Sequence, residues 1–345
     1  MKNINTNNEN ILILKEKDNN IISESRQFSN IVNELKGCKY FNENFELKKY
    51  IYSGSESKVF LIENKKWKNK LVLKYLINKP KKNMNELKIA SKLKNKNIII
   101  LQGSFPQKEK NSQFFIMENA NYGNLGIFHS QILKRSIIPE TLLCFLTYQI
   151  LKGLEYCHRC KIAHMDIKSQ NIVIDECLNA KLIDFSISIN YANKKPNDKI
   201  KLPPRGTAFY MSEEIINSKI IEYKDLNKVD AYALGVLLFT SAFGYYPYNL
   251  KYEDKDNYEI INEKLNGDLG IKNINNLSTY FIDFITKLLE KDINKRMSIY
   301  EAIRHPWIKG AEILLDEKEN TYNAGSFLAK MITNNFKNFN DYIGK

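Results

Sequence analysis

The stretch "HMDIKSQN", from His164 to Asn171, places six polar residues in eight positions between two apolar segments. Within it, Asp166 is followed two positions later by Lys168 and three positions after that by Asn171. A carboxylate, an ammonium group and an amide this close together form a compact polar cluster. The stretch is therefore the first candidate for a site of chemistry.

The segments on either side of this cluster differ in their patterns. From Phe45 to about Ile77, the runs "FELKKYIYSGSESKVFLIEN" and "KLVLKYLI" are typical of strands separated by turns. A segment with helical spacing, "MNELKIASKLK", follows, and then two further strands, "NIIILQGSF" and "SQFFIMEN". After Asn121, helical patterns dominate, as in "PETLLCFLTYQILKGLEYCHRC". This order predicts an α+β fold, with a small N-terminal sheet, one helix, and a larger helical region.

The composition limits the classes of protein and partner. The chain has 345 residues, of which 43% are hydrophobic, and this is enough for a substantial core. The formal net charge of +13 raises the prospect of an acidic partner. However, the lysines are scattered, as in a chain from an AT-rich genome, and no aromatic signature of RNA binding accompanies them. Nucleic acid is therefore not the expected partner, although an acidic protein remains an alternative.

The expected compartment is intracellular, in the cytoplasm or nucleus. The five cysteines are odd in number and irregular in spacing, which favours a reducing environment. The N-terminus has no apolar region of the kind that secretory signals carry. The long uncharged run from Ala231 to Leu250 is interrupted by Pro247 and Asn249, so it predicts a buried core helix and no transmembrane segment. Residues 1–44 and 309–345 are predicted to be a loosely ordered extension and a C-terminal tail.

Five short motifs, "LVLK", "HMDIKSQN", "IDFS", "GTAFYMSEE" and "HPWI", follow one another along the chain. With these motifs in this order, the chain from Phe45 to Ile308 resembles a eukaryotic protein kinase domain. The position of Lys168, two residues after Asp166, resembles the pattern of the family's serine/threonine branch. The resemblance implies a two-lobed kinase fold, with an antiparallel N-terminal lobe at 45–119 and a helical C-terminal lobe at 120–308. A cleft between the lobes is the expected place for the ligand.

The resemblance implies catalytic and metal-binding roles for four side chains. Asp166 would orient the substrate hydroxyl and accept its proton, and Lys168 would offset the charge of the transferring phosphoryl group. Asn171 and Asp184, the latter at the position of the family's D-F-G aspartate, would bind Mg²⁺, with Mn²⁺ as an alternative. Phosphoryl transfer depends mainly on positioning and charge stabilisation, which this set of residues would supply.

The resemblance also implies a binding site for ATP. Lys74 would bind the α- and β-phosphates as a point charge, and Glu86 would pair with Lys74 and hold it in place. Ile51 would cover one face of the adenine, and the glycine-rich loop would contribute Gly54, Ser57 and Val59. Met117 would be the gatekeeper, and Glu118 and Ala120 would belong to the hinge that binds the adenine.

Four further residues have structural roles in the family pattern. Thr207 would line the site beside Asp166, and Asp230 would anchor the backbone of the catalytic loop. Glu214 would form a buried ion pair with Arg296.

Several departures from the pattern leave alternatives open. Met165 replaces the arginine that binds a phosphorylated activation-loop residue, so we expect an activity that does not depend on this phosphorylation. Tyr52, Ser57 and Ser186 replace glycines, which raises the alternative of a pseudokinase that acts as a binding scaffold. The set of catalytic polar residues is complete, which favours an active kinase that phosphorylates serine or threonine in proteins. A nucleic-acid-binding protein is the third hypothesis.

Overall fold

The structure is a computed structural model that describes residues 31–33, 35–53, 57–76, 80–107, 112–135, 137–254, 257–272, 277–319 and 328. The chain forms two compact units, Met1–Lys74 and Tyr75–Lys345. Gly54, a predicted phosphate-binding residue, lies outside the described residues.

The first unit contains a short helix and a hairpin. Helix α1 (Lys39–Asn44) leads directly into strand β1 (Phe45–Ser53), which pairs antiparallel with β2 (Ser57–Asn64). Alternate residues of β2 are buried, as expected for a sheet with one packed face. The sequence predicts a loosely ordered extension up to residue 44, but α1 is helical, because Phe41 is buried there against the ring of Phe45 at 5.9 Å.

A five-stranded sheet is the main β-structure, with the strand order β1-β2-β3-β5-β4. Strand β3 spans Lys70–Leu76, β4 spans Leu101–Gln107, and β5 spans Ser112–Glu118. Strands β4 and β5 form an antiparallel hairpin. Helix α2 (Pro80–Ala90) follows β3 and starts with a proline, a residue that suits the first turn of a helix.

Helices dominate the second unit after β5, as the sequence predicts. The described part of this unit also contains three two-stranded sheets, in which β6 pairs with β9, β7 with β8, and β10 with β11. The short strands are β6 (Ile162–Ala163), β7 (Ile172–Ile174), β8 (Ala180–Leu182), β9 (Ile189–Asn190), β10 (Lys199–Lys201) and β11 (Ile220–Glu222). The helices are α3 (Leu125–Ile127, continued by a wider turn at Phe128–Leu133), α4 (Glu140–Arg159), α5 (Glu213–Ile216), α6 (Leu226–Phe243), α7 (Tyr258–Leu265), α8 (Thr279–Leu288), α9 (Ile299–Ala302) and α10 (Pro306–Glu319).

Helix α6 lies at the centre of this unit. It is buried on nearly every side, which explains the long uncharged run in its sequence. Gly235 lets α6 approach α8 closely, because a Cβ at this position would stand 3.0 Å from side-chain atoms of Leu288 and Leu289. The helix ends at Gly244, whose left-handed backbone caps it. In the part of the chain that the structure describes, no helix is both long and apolar enough to cross a membrane.

The small two-stranded sheets bring the predicted motifs together. Strands β7 and β8 pair from Ile172↔Leu182 to Ile174↔Ala180, and the backbone N–H of Ile183 donates to the carbonyl of Asn171 at 3.0 Å. Asn171 and Asp184 therefore lie at the same end of one hairpin. The β6–β9 pairing, Ile162↔Asn190, places the chain after Asp184 beside the chain that leads into His164.

Candidate active site

A buried carboxylate holds the backbone of the catalytic loop. Asp230, on α6, accepts hydrogen bonds from the backbone N–H groups of His164 at 2.9 Å and Met165 at 2.8 Å. The ring of His158, on α4, lies 2.8 Å from the same carboxylate. Burial by itself would raise the pKa of Asp230, but the bond to His158 and the other favourable contacts hold it below its ordinary value. The predicted anchoring role of Asp230 is confirmed.

The carboxylate of Asp166 is surrounded by donors on both oxygens. Its Oδ2 accepts from Lys168 Nζ at 2.7 Å and from the amide of Asn171 at 2.8 Å. Its Oδ1 accepts from both the backbone N–H and the hydroxyl of Thr207, each at 3.1 Å. Lys168 Nζ also donates to the hydroxyl of Thr207 at 2.8 Å. The structure thus brings four sequence-predicted residues, Asp166, Lys168, Asn171 and Thr207, into one hydrogen-bonded group.

Asn171 and Asp184 present oxygen atoms that suit a hard divalent cation. The amide nitrogen of Asn171 donates to the carbonyl and to Oδ2 of Asp166, both at 2.8 Å, so its amide oxygen is the atom left for a metal ion. Asp184 has a left-handed backbone, with φ of 66°, an uncommon conformation for a residue with a side chain. Its Oδ1 accepts from the backbone N–H of Ser186 at 3.2 Å.

His164 connects the catalytic loop with the segment around Asp184. Its Nε2 donates to the carbonyl of Ile183 at 2.9 Å, so the ring carries a proton there. Its Nδ1 accepts from the backbone N–H of Asp166 at 3.3 Å, which fits the neutral tautomer. The His164 ring packs on Phe185, with centroids 4.9 Å apart, and Phe185 is buried.

The predicted residues of the first unit lie on its hairpin and on β3. Ile51 is exposed, whereas Ser57 and Val59 are half-buried. Lys74 is buried, with 8% of its surface exposed, and it points to the side of β3 that Val72 and Leu76 share. The role of Lys74 as a phosphate ligand stays a prediction.

The predicted hinge and the predicted partner of Lys74 belong to the second unit. Met117 and Ala120 are half-buried, and Glu86 on α2 is buried, with 5% of its surface exposed. The pairing of Glu86 with Lys74 stays a prediction. The backbone N–H of Glu118 donates to the carbonyl of Ile100 at 3.1 Å. The adenine contacts expected of the hinge therefore fall to its other backbone groups.

The side chain of Glu118 has a structural role that the sequence does not reveal. Its carboxylate accepts from Lys181 Nζ, on β8, at 2.9 and 3.0 Å, and from the backbone N–H of Ile100 at 2.7 Å. This ion pair links strand β5 to β8 across 63 residues of sequence. Lys181 is in the short strand "AKL", and nothing in its local pattern separates it from the many surface lysines.

The predicted ion pair between Glu214 and Arg296 is confirmed. The two side chains are buried and make a bidentate contact, at 2.6 and 3.1 Å. Arg296 also donates to three backbone carbonyls and lies over the ring of Tyr232 at 4.9 Å, while Ser212 donates to Glu214 at 2.6 Å. The charges are therefore fully hydrogen-bonded, as a buried pair requires.

A family comparison agrees with this geometry. The family model described as "Protein kinase domain" matches residues 45–308, which include the catalytic loop, Asp184 and the Glu214–Arg296 pair. The chain belongs to the protein kinase family. Members of this family use ATP and a divalent cation, and the oxygens of Asn171 and Asp184 fit the second requirement.

Kinases from three different organisms are similar to this chain. The serine/threonine-protein kinase CHK1 of Saccharomyces cerevisiae is 27% identical over 200 residues, which cover 58% of this chain and 37% of that protein. The serine/threonine-protein kinase max-2 of Caenorhabditis elegans is 27% identical over 304 residues, covering 87% and 44%. An Aurora kinase of Dictyostelium discoideum is 28% identical over 278 residues, covering 79% and 67%. The chain thus spans less than half the length of two of these relatives.

Arg205, like Lys181, is a residue that the sequence analysis did not identify. It stands immediately before the Gly206–Thr207 motif, and its side chain lines a small cavity beside Asp166 and Thr207. Its position next to this motif is the signal that could have identified it.

Proposed function

We propose that this chain is an active serine/threonine protein kinase, which transfers the γ-phosphoryl group of ATP to hydroxyl groups of proteins. The observation that supports this proposal best is the arrangement around Asp166, where Lys168, Asn171 and Thr207 all contact its carboxylate. The names of the related proteins favour serine and threonine as acceptors.

The proposed reaction forms a bond between the substrate oxygen and the γ-phosphorus while the bond from this phosphorus to the β–γ bridging oxygen breaks. Asp166 orients the substrate hydroxyl and takes its proton, and ADP leaves with the bridging oxygen. The four contacts to Asp166 already fill its carboxylate lone pairs, about four in number, so the hydroxyl must replace one partner. Lys168 is the partner best suited to move, because its ammonium group then meets the negative phosphoryl group.

The remaining predicted residues complete the proposed nucleotide site. The amide oxygen of Asn171 and the carboxylate of Asp184 would hold Mg²⁺, or Mn²⁺ as an alternative. When bound, the cation neutralises charge on the phosphates. Lys74 would bind the α- and β-phosphates with support from Glu86, and both residues are at buried positions that favour a specific role over a surface role. The hinge from Glu118 to Ala120 would bind the adenine, with Met117 before it as the gatekeeper.

We also propose that activity does not require phosphorylation of the activation loop. Met165 is buried and uncharged, so it cannot bind a phosphate. Between Asp184 and Glu214, five of the six hydroxyl side chains are hydrogen-bonded or buried in this conformation; they are Ser188, Tyr191, Thr207, Tyr210 and Ser212. Direct contacts such as Thr207 to Asp166 already hold this segment in place.

The test is a phosphoryl-transfer assay with the purified protein, ATP, Mg²⁺ and a panel of serine and threonine peptides. We expect incorporation by the wild-type protein and none by Asp184→Ala. Equal incorporation by both proteins, or none by either, would favour the pseudokinase scaffold. Treatment with a phosphatase before the assay should leave the rate unchanged. A loss of activity that is rescued by rephosphorylation within residues 184–214 would contradict the independence from phosphorylation.

A further inference from the structure

Arg205, a half-buried arginine, lines the same small cavity as the proposed catalytic residue Asp166. Among the contacts of the described residues, the Arg205 side chain forms no hydrogen bond or ion pair, and its buried Nε lacks an acceptor. Burial lowers the pKa of the Arg205 guanidinium, the direction expected for a cation that no carboxylate stabilises. A buried donor without an acceptor is costly, so such a group calls for a partner such as an ion or a water molecule.

The backbone around Arg205 is fixed in relation to Asp166. Thr207, two residues later, binds Oδ1 of Asp166 through both its N–H and its hydroxyl. Gly206, between them, has φ of 95°, and a Cβ there would lie 2.8 Å from the carbonyl oxygen of Met165. Two residues span at most about 7 Å, so the start of the Arg205 side chain stays close to the place where a substrate hydroxyl must bind.

The nearby carboxylates cannot serve as partners for Arg205. The cavity that Arg205 lines also contains Asp166 and Asp230. The first is occupied by Lys168, Asn171 and Thr207, and the second by His158 and two backbone N–H groups. The cavity has room for about one water molecule, so a large ligand cannot bind inside it. An anion must therefore approach from the side that is open to solvent.

The positive charge of the surrounding segment also favours an anionic ligand. Four lysines that precede Arg205 in the chain are exposed; they are Lys194, Lys195, Lys199 and Lys201. Asp198, the acidic residue among them, accepts the backbone N–H of Lys195. An approaching acidic peptide would thus meet a basic segment before it reaches the arginine, and such charges favour encounter more than final affinity.

We propose that Arg205 selects protein substrates that carry an anionic side chain within two residues of the phosphorylated serine or threonine. This inference rests on the proposed kinase activity and names the class of substrate. An extended peptide advances about 3.3 Å per residue, which sets the range of two positions. A guanidinium binds both oxygens of a carboxylate, and it binds a phosphorylated side chain in the same way.

The experiment compares serine peptides in an alanine and glycine background. One series places Asp, Ala or Arg at each of the two positions on either side of the serine, and another series places phosphoserine there. The protein is treated with phosphatase beforehand, so that no phosphate of its own occupies Arg205. We compare kcat/KM for wild type, Arg205→Ala and Arg205→Lys. Lys219→Ala is the matched control, because Lys219 is an exposed basic residue already paired with Glu213.

We expect wild-type kcat/KM to be about tenfold higher for the best acidic peptide than for the alanine peptide. Arg205→Ala should reduce this ratio to near one, Arg205→Lys should retain part of it, and Lys219→Ala should leave it unchanged. The ratio should also fall as ionic strength rises. The two peptide series separate preference for a carboxylate from preference for a phosphate. No acidic preference in the wild type, or a preference that survives in Arg205→Ala, would overturn the inference.

A binding measurement separates this inference from the proposed activity. If no peptide is phosphorylated, the proposed function fails, but fluorescence anisotropy with labelled peptides still tests Arg205. Tighter binding of the acidic peptide than of the alanine peptide, lost in Arg205→Ala, would support recognition by Arg205. Equal Kd values for the two peptides would overturn it.

Discussion

The backbone N–H and the side-chain hydroxyl of Thr207 both donate to the same oxygen of Asp166, each at 3.1 Å. These residues are 41 positions apart in the sequence. The contact joins the segment that follows Gly206 to the catalytic loop. It also leaves the other carboxylate oxygen of Asp166 to Lys168 and Asn171.

Replacing Thr207 with alanine should slow catalysis more than it weakens binding of ATP. The variant loses the hydroxyl that donates to Asp166 and accepts from Lys168, while its backbone N–H remains. We expect kcat to fall by about 10- to 100-fold, the equivalent of one or two charge-assisted hydrogen bonds. Steady-state kinetics would measure this. Thr207→Ser keeps the hydroxyl and should retain most of the activity, and an equal loss in both variants would contradict this role.

Replacing Asp230 with asparagine should destabilise the fold, because Asp230 is buried and accepts from two backbone N–H groups and from His158. The amide NH₂ of asparagine would face one of these hydrogen-bond donors and could not accept a hydrogen bond from it. We expect the free energy of unfolding to fall by about 3 kcal/mol in urea denaturation. Asp198→Asn, at an exposed position, is the control and should change stability by less than about 0.5 kcal/mol.

The stability that Asp230 contributes should depend on pH in the acid range. Its pKa is lower in the folded protein than in the unfolded chain. The unfolded state therefore binds more protons, and this contribution is present above about pH 4 and is lost as the pH falls through the folded pKa. Urea denaturation as a function of pH should show a shallower fall for Asp230→Asn than for wild type. Identical slopes would argue against this linkage.

Breaking the buried pair between Glu214 and Arg296 should be costly from either side. Glu214→Ala leaves the guanidinium buried without its carboxylate, and Arg296→Ala leaves the carboxylate without its cation. We expect each variant to lose about 3–5 kcal/mol of unfolding free energy. The exposed pair of Lys287 with Asp283 provides the comparison, and Lys287→Ala should cost less than about 1 kcal/mol. Similar losses at both sites would show that burial of the pair is not decisive.

Two substitutions of Asn171 should distinguish its effect on the metal requirement from its effect on the catalytic rate. Asn171→Ala removes the predicted metal oxygen and both donations to Asp166. We expect the Mg²⁺ concentration for half-maximal velocity to rise about tenfold or more. Asn171→Asp restores an oxygen ligand but no donor, so it should lower the metal requirement again while kcat stays reduced. If the metal requirement is the same in all three proteins, the proposed role of Asn171 is wrong.

The sequence by itself determined the α+β fold and the identity of most candidate site residues. Strand alternation in β2 and helical spacing in α4 are local patterns, because side chains on one face of an element recur at a fixed interval. The motifs around Asp166, Asp184 and Glu214 are likewise short, and their order along the chain is enough to place them. The Glu214–Arg296 pair could be predicted because each partner lies in its own recognisable motif.

The tertiary structure alone decided which side chains meet when no motif marks them. Lys181 resembles any other surface lysine in the sequence until β8 places it against Glu118. Arg205 stands next to a motif, but the sequence does not show that the fold buries its Nε and commits Asp166 and Asp230, the carboxylates of its cavity, to other donors. The physical reason is that the cost of a buried charge depends on its neighbours in space, and a local sequence pattern carries no information about them.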